Sequence, residues 1–186
     1  MIPSFDRDIR ARLAETLGDA LGTVVGERSV RLPARQADAS AHLPPNGDSA
    51  RALGADYGAL WNAPLVSGVR LVNGWLLFTF SDALFDALVV QVNASLPLPE
   101  DDGGEHALNR LLVLGRHGGE GCPTFPPFRR ALLDAICASQ SPAAYRRAVR
   151  AAETLFHSIP PRERPALLDR SDAYARALAR LLASTR

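Results

Sequence analysis

The stretch Gly68-Val-Arg-Leu-Val-Asn-Gly-Trp-Leu-Leu-Phe-Thr-Phe80 contains two runs of strand-forming residues separated by Asn73-Gly74. An Asn-Gly pair accepts the positive φ angles of a type I′ turn, whose twist matches that of two paired antiparallel strands. The stretch therefore predicts a β-hairpin with a two-residue turn. In that register Val72 pairs with Trp75, Leu71 with Leu76, Arg70 with Leu77 and Val69 with Phe78.

Side chains alternate between the two faces of such a hairpin. One face is apolar throughout, and we expect it to lie in the core; it carries Val69, Leu71, Leu76, Phe78 and Phe80. The other face is mixed and carries Arg70, Val72, Trp75, Leu77 and Thr79. Trp75 beside Arg70 suggests a surface on which an unpaired base stacks. The alternative is a tryptophan buried beneath a neighbouring helix.

Upstream of the hairpin, apolar residues recur every four positions from Phe5 to Leu21. This spacing lines one face of a helix and predicts a helix over residues 4–22, with Ser4 as its N-cap. We expect a short strand over residues 29–32 and a loop over residues 34–47. Asp48 is expected to cap a brief helix over residues 49–53.

Downstream of the hairpin, Ser81 and Asp82 predict the start of a helix that ends before Pro97. Residues 97–105 combine proline, glycine and acidic residues, which is typical of a linker. We therefore predict one domain over residues 1–96 and a second over residues 106–186. The second is expected to be a bundle of helices near residues 105–116, 126–139, 142–158 and 171–184. The predicted fold class is α+β: a small antiparallel sheet containing the hairpin and packed on helices, followed by an α-helical bundle.

The 186-residue chain has a net charge of +1, but its basic residues gather towards the C-terminus. Residues 129–186 hold 11 arginines against 5 acidic residues, and the chain has no lysine. Arginine pairs with phosphate oxygens through its planar fork, so this segment predicts a phosphate-binding surface. The predicted residues are Arg129, Arg130, Arg146, Arg147 and Arg150. The alternative is a solvated helix face whose arginine content reflects genome composition; Arg130 is also expected to pair with Asp134, and Arg180 to face water.

The composition and sequence pattern argue against three classes of protein: a chain stabilised by disulfides or metals, a membrane-spanning protein and a secreted protein. A chain with 47% hydrophobic residues buries a sufficient core without disulfides or metals. Its longest apolar runs are far shorter than the roughly 20 residues of a membrane span. The charged N-terminal residues do not fit a secretory leader, which predicts a cytoplasmic protein with no membrane contact.

The two cysteines, Cys122 and Cys137, do not form a zinc-binding pattern, and we predict no metal and no cofactor. Cys137 lies in an apolar helical pattern and is expected in the core. Cys122 and His117 lie near each other in a glycine-rich stretch. They form a third, enzymatic hypothesis of a nucleophile and its base, for which the sequence indicates no orienting group.

Residues 69–81, together with Gly47-Asp48 upstream and the helix downstream, resemble the N-terminal additional domain of arginyl-tRNA synthetases. Gly74, Trp75 and Phe78 stand at the glycine and the two aromatic positions of that family's Gly-Phe-Ile-Asn-Phe-like strand, and Leu77 replaces its asparagine. Residues 129–184 are similar in length and arginine content to the helical anticodon-binding domain. The resemblance implies contact with the tRNA elbow.

The same resemblance implies a module without aminoacylation activity. His117-Gly118-Gly119-Glu120 is not the His-Ile-Gly-His-like signature of these synthetases, and we expect no room in the chain for their catalytic domain. The predicted function is therefore a non-catalytic module that binds structured RNA, tRNA by analogy, through the arginine faces and the hairpin surface with Arg70 and Trp75. The alternative is a protein-interaction or accessory domain with no nucleic-acid role.

Overall fold

The computed structural model describes residues 4–97 and 126–137, together with Ala177, Arg180 and Leu181. The chain divides into two compact units, Ser4–Ala87 and a unit of Met1–Pro3 with Leu88–Arg186. Helices and a small antiparallel sheet together make this an α+β protein. Residues 98–125 and 138–176 lie outside the described residues, so the linker and the C-terminal bundle stay predictions.

The described elements comprise four helices and six strands. The helices are α1 (Phe5–Leu21), α2 (Ser49–Leu53), α3 (Asp82–Ser95) and α4 (Pro126–Ile136), with a 3₁₀ turn at Glu27–Ser29. The strands are β1 (Val30–Arg31), β2 (Ala39–His42), β3 (Ala59–Leu60), β4 (Ala63–Pro64), β5 (Val66–Val72) and β6 (Trp75–Phe80). Four of these strands form an antiparallel sheet in the order β1-β2-β6-β5, and β3 pairs with β4.

The predicted hairpin is confirmed, including its register. Val72 opposes Trp75, and Leu71, Arg70 and Val69 oppose Leu76, Leu77 and Phe78 in turn. Asn73 and Gly74 have φ angles of 50° and 78°, as a type I′ turn requires. The ladder shifts between Val66 and Gly68, where β5 contains a bulge.

The expectation of a loop over residues 34–47 is wrong, because β2 lies within it. This strand pairs with β6 on one side and β1 on the other, so it is a central strand of the sheet. Ala39 and Ala41 are fully buried on the core side. A strand of small residues has no β-branched or aromatic side chain to indicate it, and its position is decided by pairing with neighbours.

Helix α1 agrees with its prediction except at the N-cap. The Ser4 side chain makes no cap hydrogen bond to the backbone and donates instead to Asp6 Oδ1 at 3.1 Å. At the other end Gly22 adopts the left-handed conformation, with φ 63°. The Thr23 N–H donates to the Gly18 carbonyl at 3.0 Å, which gives the Schellman arrangement of a helix C-terminus.

The core of the first unit lies on one face of the sheet. Leu76, Phe78 and Phe80 are buried there, and Tyr57 contacts Phe78 edge to face with ring centroids 5.1 Å apart. The expectation that Leu71 is buried is wrong, since this side chain is 37% exposed. Leu71 lies on β5, close to the hairpin turn, and β5 is an edge strand of the sheet as far as the described residues go.

Helix α3 begins as predicted, because Ser81 Oγ accepts the Leu84 N–H at 3.0 Å. The expectation that Arg180 faces water is wrong. Its Nη1 donates to the Asn93 carbonyl at 2.6 Å and to the Leu96 carbonyl, at the C-terminal end of α3. No helix in the described ranges is long and apolar enough to cross a bilayer.

Candidate nucleic-acid interface

The side of the sheet opposite the core carries the predicted site residues Arg70 and Trp75. Pairing places Arg31, Ser40, Leu77 and Arg70 in one row across the four strands. The neighbouring row on this side contains His42, Trp75 and Val72. Because directly opposed residues of a sheet point to the same face, these side chains share one surface. We call it the basic-aromatic face, and its accessible members are Arg31, His42, Arg70, Val72 and Trp75.

Trp75 has a fixed environment on this face. The Arg31 guanidinium carbon lies 4.2 Å from the Trp75 ring centroid, which is a cation–π contact. His42 meets the indole edge to face, with centroids 5.0 Å apart and an interplanar angle of 86°. The indole is half-buried, while Arg31 and His42 are exposed. Two neighbours therefore hold the ring in one orientation at the surface.

Arg70 lies on β5, at the far side of the sheet from Arg31. Its Nη2 donates to the Gln36 carbonyl at 3.1 Å, so the loop between β1 and β2 holds its guanidinium. A guanidinium has five N–H donors, and this bond uses one of them. Three strand spacings separate Arg31 from Arg70, or about 14 Å.

The charge of the basic-aromatic face has one sign. The strand residues whose side chains share it include two arginines and a histidine but no carboxylate. Within the described part of the chain, the Arg31 guanidinium has no carboxylate partner. Asp38 precedes β2 by one residue, in the row next to that of Arg31 and Arg70, and its Oδ2 accepts the Phe80 N–H at 2.8 Å, so the single sign of charge holds for the strand residues of this face. The face thus offers cationic donors and an aromatic ring to an anionic, planar ligand.

The predicted helical arginines divide into two groups. Arg129 and Arg130 lie on α4 and are half-buried. Arg130 Nε lies 3.3 Å from Asp134 Oδ2, which confirms the predicted pair and assigns this charge a structural partner. Arg146, Arg147 and Arg150 lie outside the described residues.

The third hypothesis, a nucleophile and base at Cys122 and His117, also falls outside the described residues. Cys137 is buried, which confirms its predicted place in a core. In the ranges that the structure describes, no group of three or more metal-ligating side chains is present.

Two members of the basic-aromatic face, Arg31 and His42, were not among the predicted site residues. Arg31 follows the buried Val30 in a predicted strand, so the alternation already indicated that its side chain faces away from the core. What the sequence does not reveal is the order of strands. Only the pairing of β1 and β6 with β2 brings Arg31 onto Trp75.

No protein-family model, curated protein or solved structure matches the chain. The resemblance of residues 69–81 to the appended domain of arginyl-tRNA synthetases therefore stays a prediction.

Proposed function

We propose that the chain is a non-catalytic module that binds structured RNA. The observation that carries this proposal is the contact of the exposed Arg31 with Trp75, on a sheet face that holds a second exposed arginine and no strand carboxylate, although Ser40 and Leu77 between them are buried. Phosphate oxygens supply the negative charge that these guanidiniums lack, and bases supply planar rings for stacking.

The class of RNA in this proposal comes from the sequence. The resemblance of residues 69–81 to the appended domain of arginyl-tRNA synthetases favours tRNA. The predicted helix over residues 142–158 adds Arg146, Arg147 and Arg150 as further phosphate contacts. Arg130 contributes less than the composition indicates, because Asp134 already partners it.

A filter-binding titration against bulk tRNA at two salt concentrations tests the proposal. We expect retention at low salt that falls at the higher concentration, because each neutralised phosphate releases counterions. The double variant Arg70→Gln, Trp75→Leu is expected to weaken retention. Arg51→Gln is the matched control, since Arg51 is exposed on α2 and lies on none of the rows of the sheet. Absence of retention at low salt contradicts the proposal.

The sheet edge favours a second function, a protein-interaction domain. Among the described residues, strand β5 pairs only with β6, and Leu71 and Val72 near its end are each 37% exposed. An unpaired strand edge can accept an extended segment of another protein as an additional strand. This function predicts a chain that ignores tRNA at every salt concentration, so the same titration separates the two.

A further inference from the structure

We infer that the basic-aromatic face binds an unpaired base of RNA, which stacks on the outer side of the Arg31 guanidinium. The base and the indole then lie on opposite sides of the Arg31 guanidinium, with Trp75 innermost. This inference rests on the proposed function and adds to it the kind of RNA segment that the site selects. A single-stranded loop or end provides such a base, whereas a continuous duplex does not.

Arg31 has a guanidinium plane that is available for stacking. Its inner side is occupied by the Trp75 ring at 4.2 Å, and the residue is exposed, so its outer side faces solvent. A guanidinium is planar and weakly hydrated, and RNA-binding proteins stack unpaired bases on guanidinium planes as they do on aromatic rings. The indole beneath it orients the plane before any ligand arrives. Preorganisation of this kind reduces the entropy lost on binding.

The surface formed by Arg31 and Trp75 is shallow. Arg31 and Trp75 lie on strands of a sheet, with Trp75 half-buried, and therefore present a shallow platform. In A-form RNA the bases cover one another and the major groove is deep and narrow, so a shallow platform does not reach a base face there. An unpaired base can leave its stack and lie on the platform.

Arg70 is the second cation of the basic-aromatic face. Arg70 is about 14 Å from Arg31 across the sheet and keeps further N–H donors beyond its bond to Gln36. This distance suits a phosphate of a neighbouring nucleotide rather than the stacked nucleotide itself. The site therefore takes a short run of single-stranded RNA that reaches from Arg31 to Arg70.

The test compares three labelled probes by fluorescence anisotropy: a 12-nucleotide RNA without self-complementarity, the same RNA in a 12-base-pair duplex, and heparin as a polyanion without bases. We expect the single strand to bind at least about 10-fold more tightly than the duplex. Trp75→Leu removes the ring that supports the Arg31 guanidinium and is expected to weaken single-strand binding about 5-fold or more. Arg31→Lys keeps the charge but loses the plane, so it should weaken the single strand about 5-fold or more and change heparin binding less than about 2-fold.

A fluorescence measurement makes the result independent of any effect of these variants on folding. Trp61 and Trp75 are the only tryptophans of the chain, so in a Trp61→Phe background Trp75 is the sole emitter. Single-stranded RNA should change its emission and heparin should not. Arg51→Lys, on α2, is the matched control and should bind all three probes as the unmodified chain does.

The outcomes separate this inference from the proposed function. If single strand and duplex bind equally, or if Arg31→Lys leaves single-strand affinity unchanged while tRNA is still retained, the stacked base is wrong and RNA binding stands. If no RNA binds at low salt, both fail, and the exposed edge of β5 points to a protein partner instead.

Discussion

Tyr57 illustrates how this small core holds a polar group. The side chain is 2% exposed, contacts Phe78 edge to face, and donates its hydroxyl to the Ala52 carbonyl at 2.7 Å. Burial raises the pKa of Tyr57 to about 12, because the phenolate is disfavoured away from water. The hydroxyl is therefore a neutral structural donor.

The variant Tyr57→Phe tests this role through pH. At pH 8 we expect its free energy of unfolding to be about 1 kcal/mol lower than that of the unmodified chain, because the Ala52 carbonyl loses its donor. In the unfolded chain tyrosine has a pKa of about 10, so as pH rises the unfolded state releases this proton before the folded state does. The contribution of Tyr57 is thus complete below pH 10 and is lost as pH rises towards 12.

The difference in free energy of unfolding between the unmodified chain and Tyr57→Phe should therefore narrow by about 1 kcal/mol between pH 8 and pH 11. Urea unfolding at both pH values measures it. Comparison with the variant cancels the titration of the remaining groups. A difference that stays constant with pH would show that the Tyr57 hydroxyl is not buried in the folded chain.

At the scale of elements, the sequence predicted those elements whose conformation depends on residues close together in the chain. The Asn73-Gly74 turn and the two runs beside it determine the β5–β6 register, and the four-residue spacing from Phe5 to Leu21 determines α1. Both are confirmed because turn conformation and helix amphipathicity depend on neighbours in sequence. Strand β2 has no such signal in Ala-Ser-Ala-His, and it forms because β6 and β1 pair with it.

The candidate site follows the same division. Arg70 and Trp75 were predicted because they lie on one hairpin. The position of its turn fixes the register and therefore which side chains share a face. Arg31 and His42 were missed because only the pairing of β2 with β1 and β6 brings them close to Trp75. These contacts join segments more than 30 positions apart in the sequence. Sequence reasoning therefore found the half of the site that lies on one local motif.

The C-terminal end of α1 allows two glycine effects to be separated. Gly22 has φ 63° and open space around its Cβ position, so Gly22→Ala should cost about 1–2 kcal/mol through backbone strain alone. Gly18 has an ordinary helical backbone, where alanine normally gains about 1 kcal/mol. Here, however, a Cβ would lie 2.8 Å from the Thr23 backbone oxygen, so we expect Gly18→Ala to destabilise as well.

Thermal unfolding of the two variants measures these effects. Gly26→Ala is the control, since Gly26 has φ −79° and no atom within 4 Å of its Cβ position. It should be neutral or stabilise the chain by up to about 1 kcal/mol. A stabilised Gly18→Ala would mean that the turn after α1 moves away from the helix at little cost.

At the scale of the whole molecule, Arg180 connects distant parts of the second unit. Its guanidinium donates to carbonyls 84 and 87 positions earlier in the chain, at the end of α3. A cation there also interacts favourably with the negative end of the helix dipole. We expect Arg180→Met to lower the free energy of unfolding by about 1–3 kcal/mol, the range for hydrogen bonds from a charged donor.

Chemical unfolding followed by circular dichroism provides the measurement. Arg180→Lys keeps the positive charge at the end of the helix but has a different donor geometry, so about half of the loss should remain. Equal stability of Arg180→Met and the unmodified chain would argue that these carbonyls are satisfied by water.

The charge distribution of the whole chain predicts how RNA affinity depends on salt. The net charge of +1 is too small to attract a polyanion by itself, so the phosphate contacts must come from local groups of arginines. For single-stranded RNA the logarithm of the association constant falls with the logarithm of salt concentration by about 0.7 per phosphate neutralised. One phosphate at Arg31 and one at Arg70 give a slope near −1.4.

Removing one of these arginines should reduce the slope and not only the affinity. Arg70→Gln is expected to bring it to about −0.7, while Arg51→Gln on α2 leaves it unchanged. Recruitment of Arg146, Arg147 and Arg150 would add three contacts and give a slope near −3.5 in the unmodified chain and near −2.8 in Arg70→Gln. Titration of the 12-nucleotide RNA at four salt concentrations therefore counts the contacts and locates them. A slope that Arg70→Gln leaves unchanged would show that Arg70 contacts no phosphate, because a charge that contacts phosphate cannot be removed without altering counterion release.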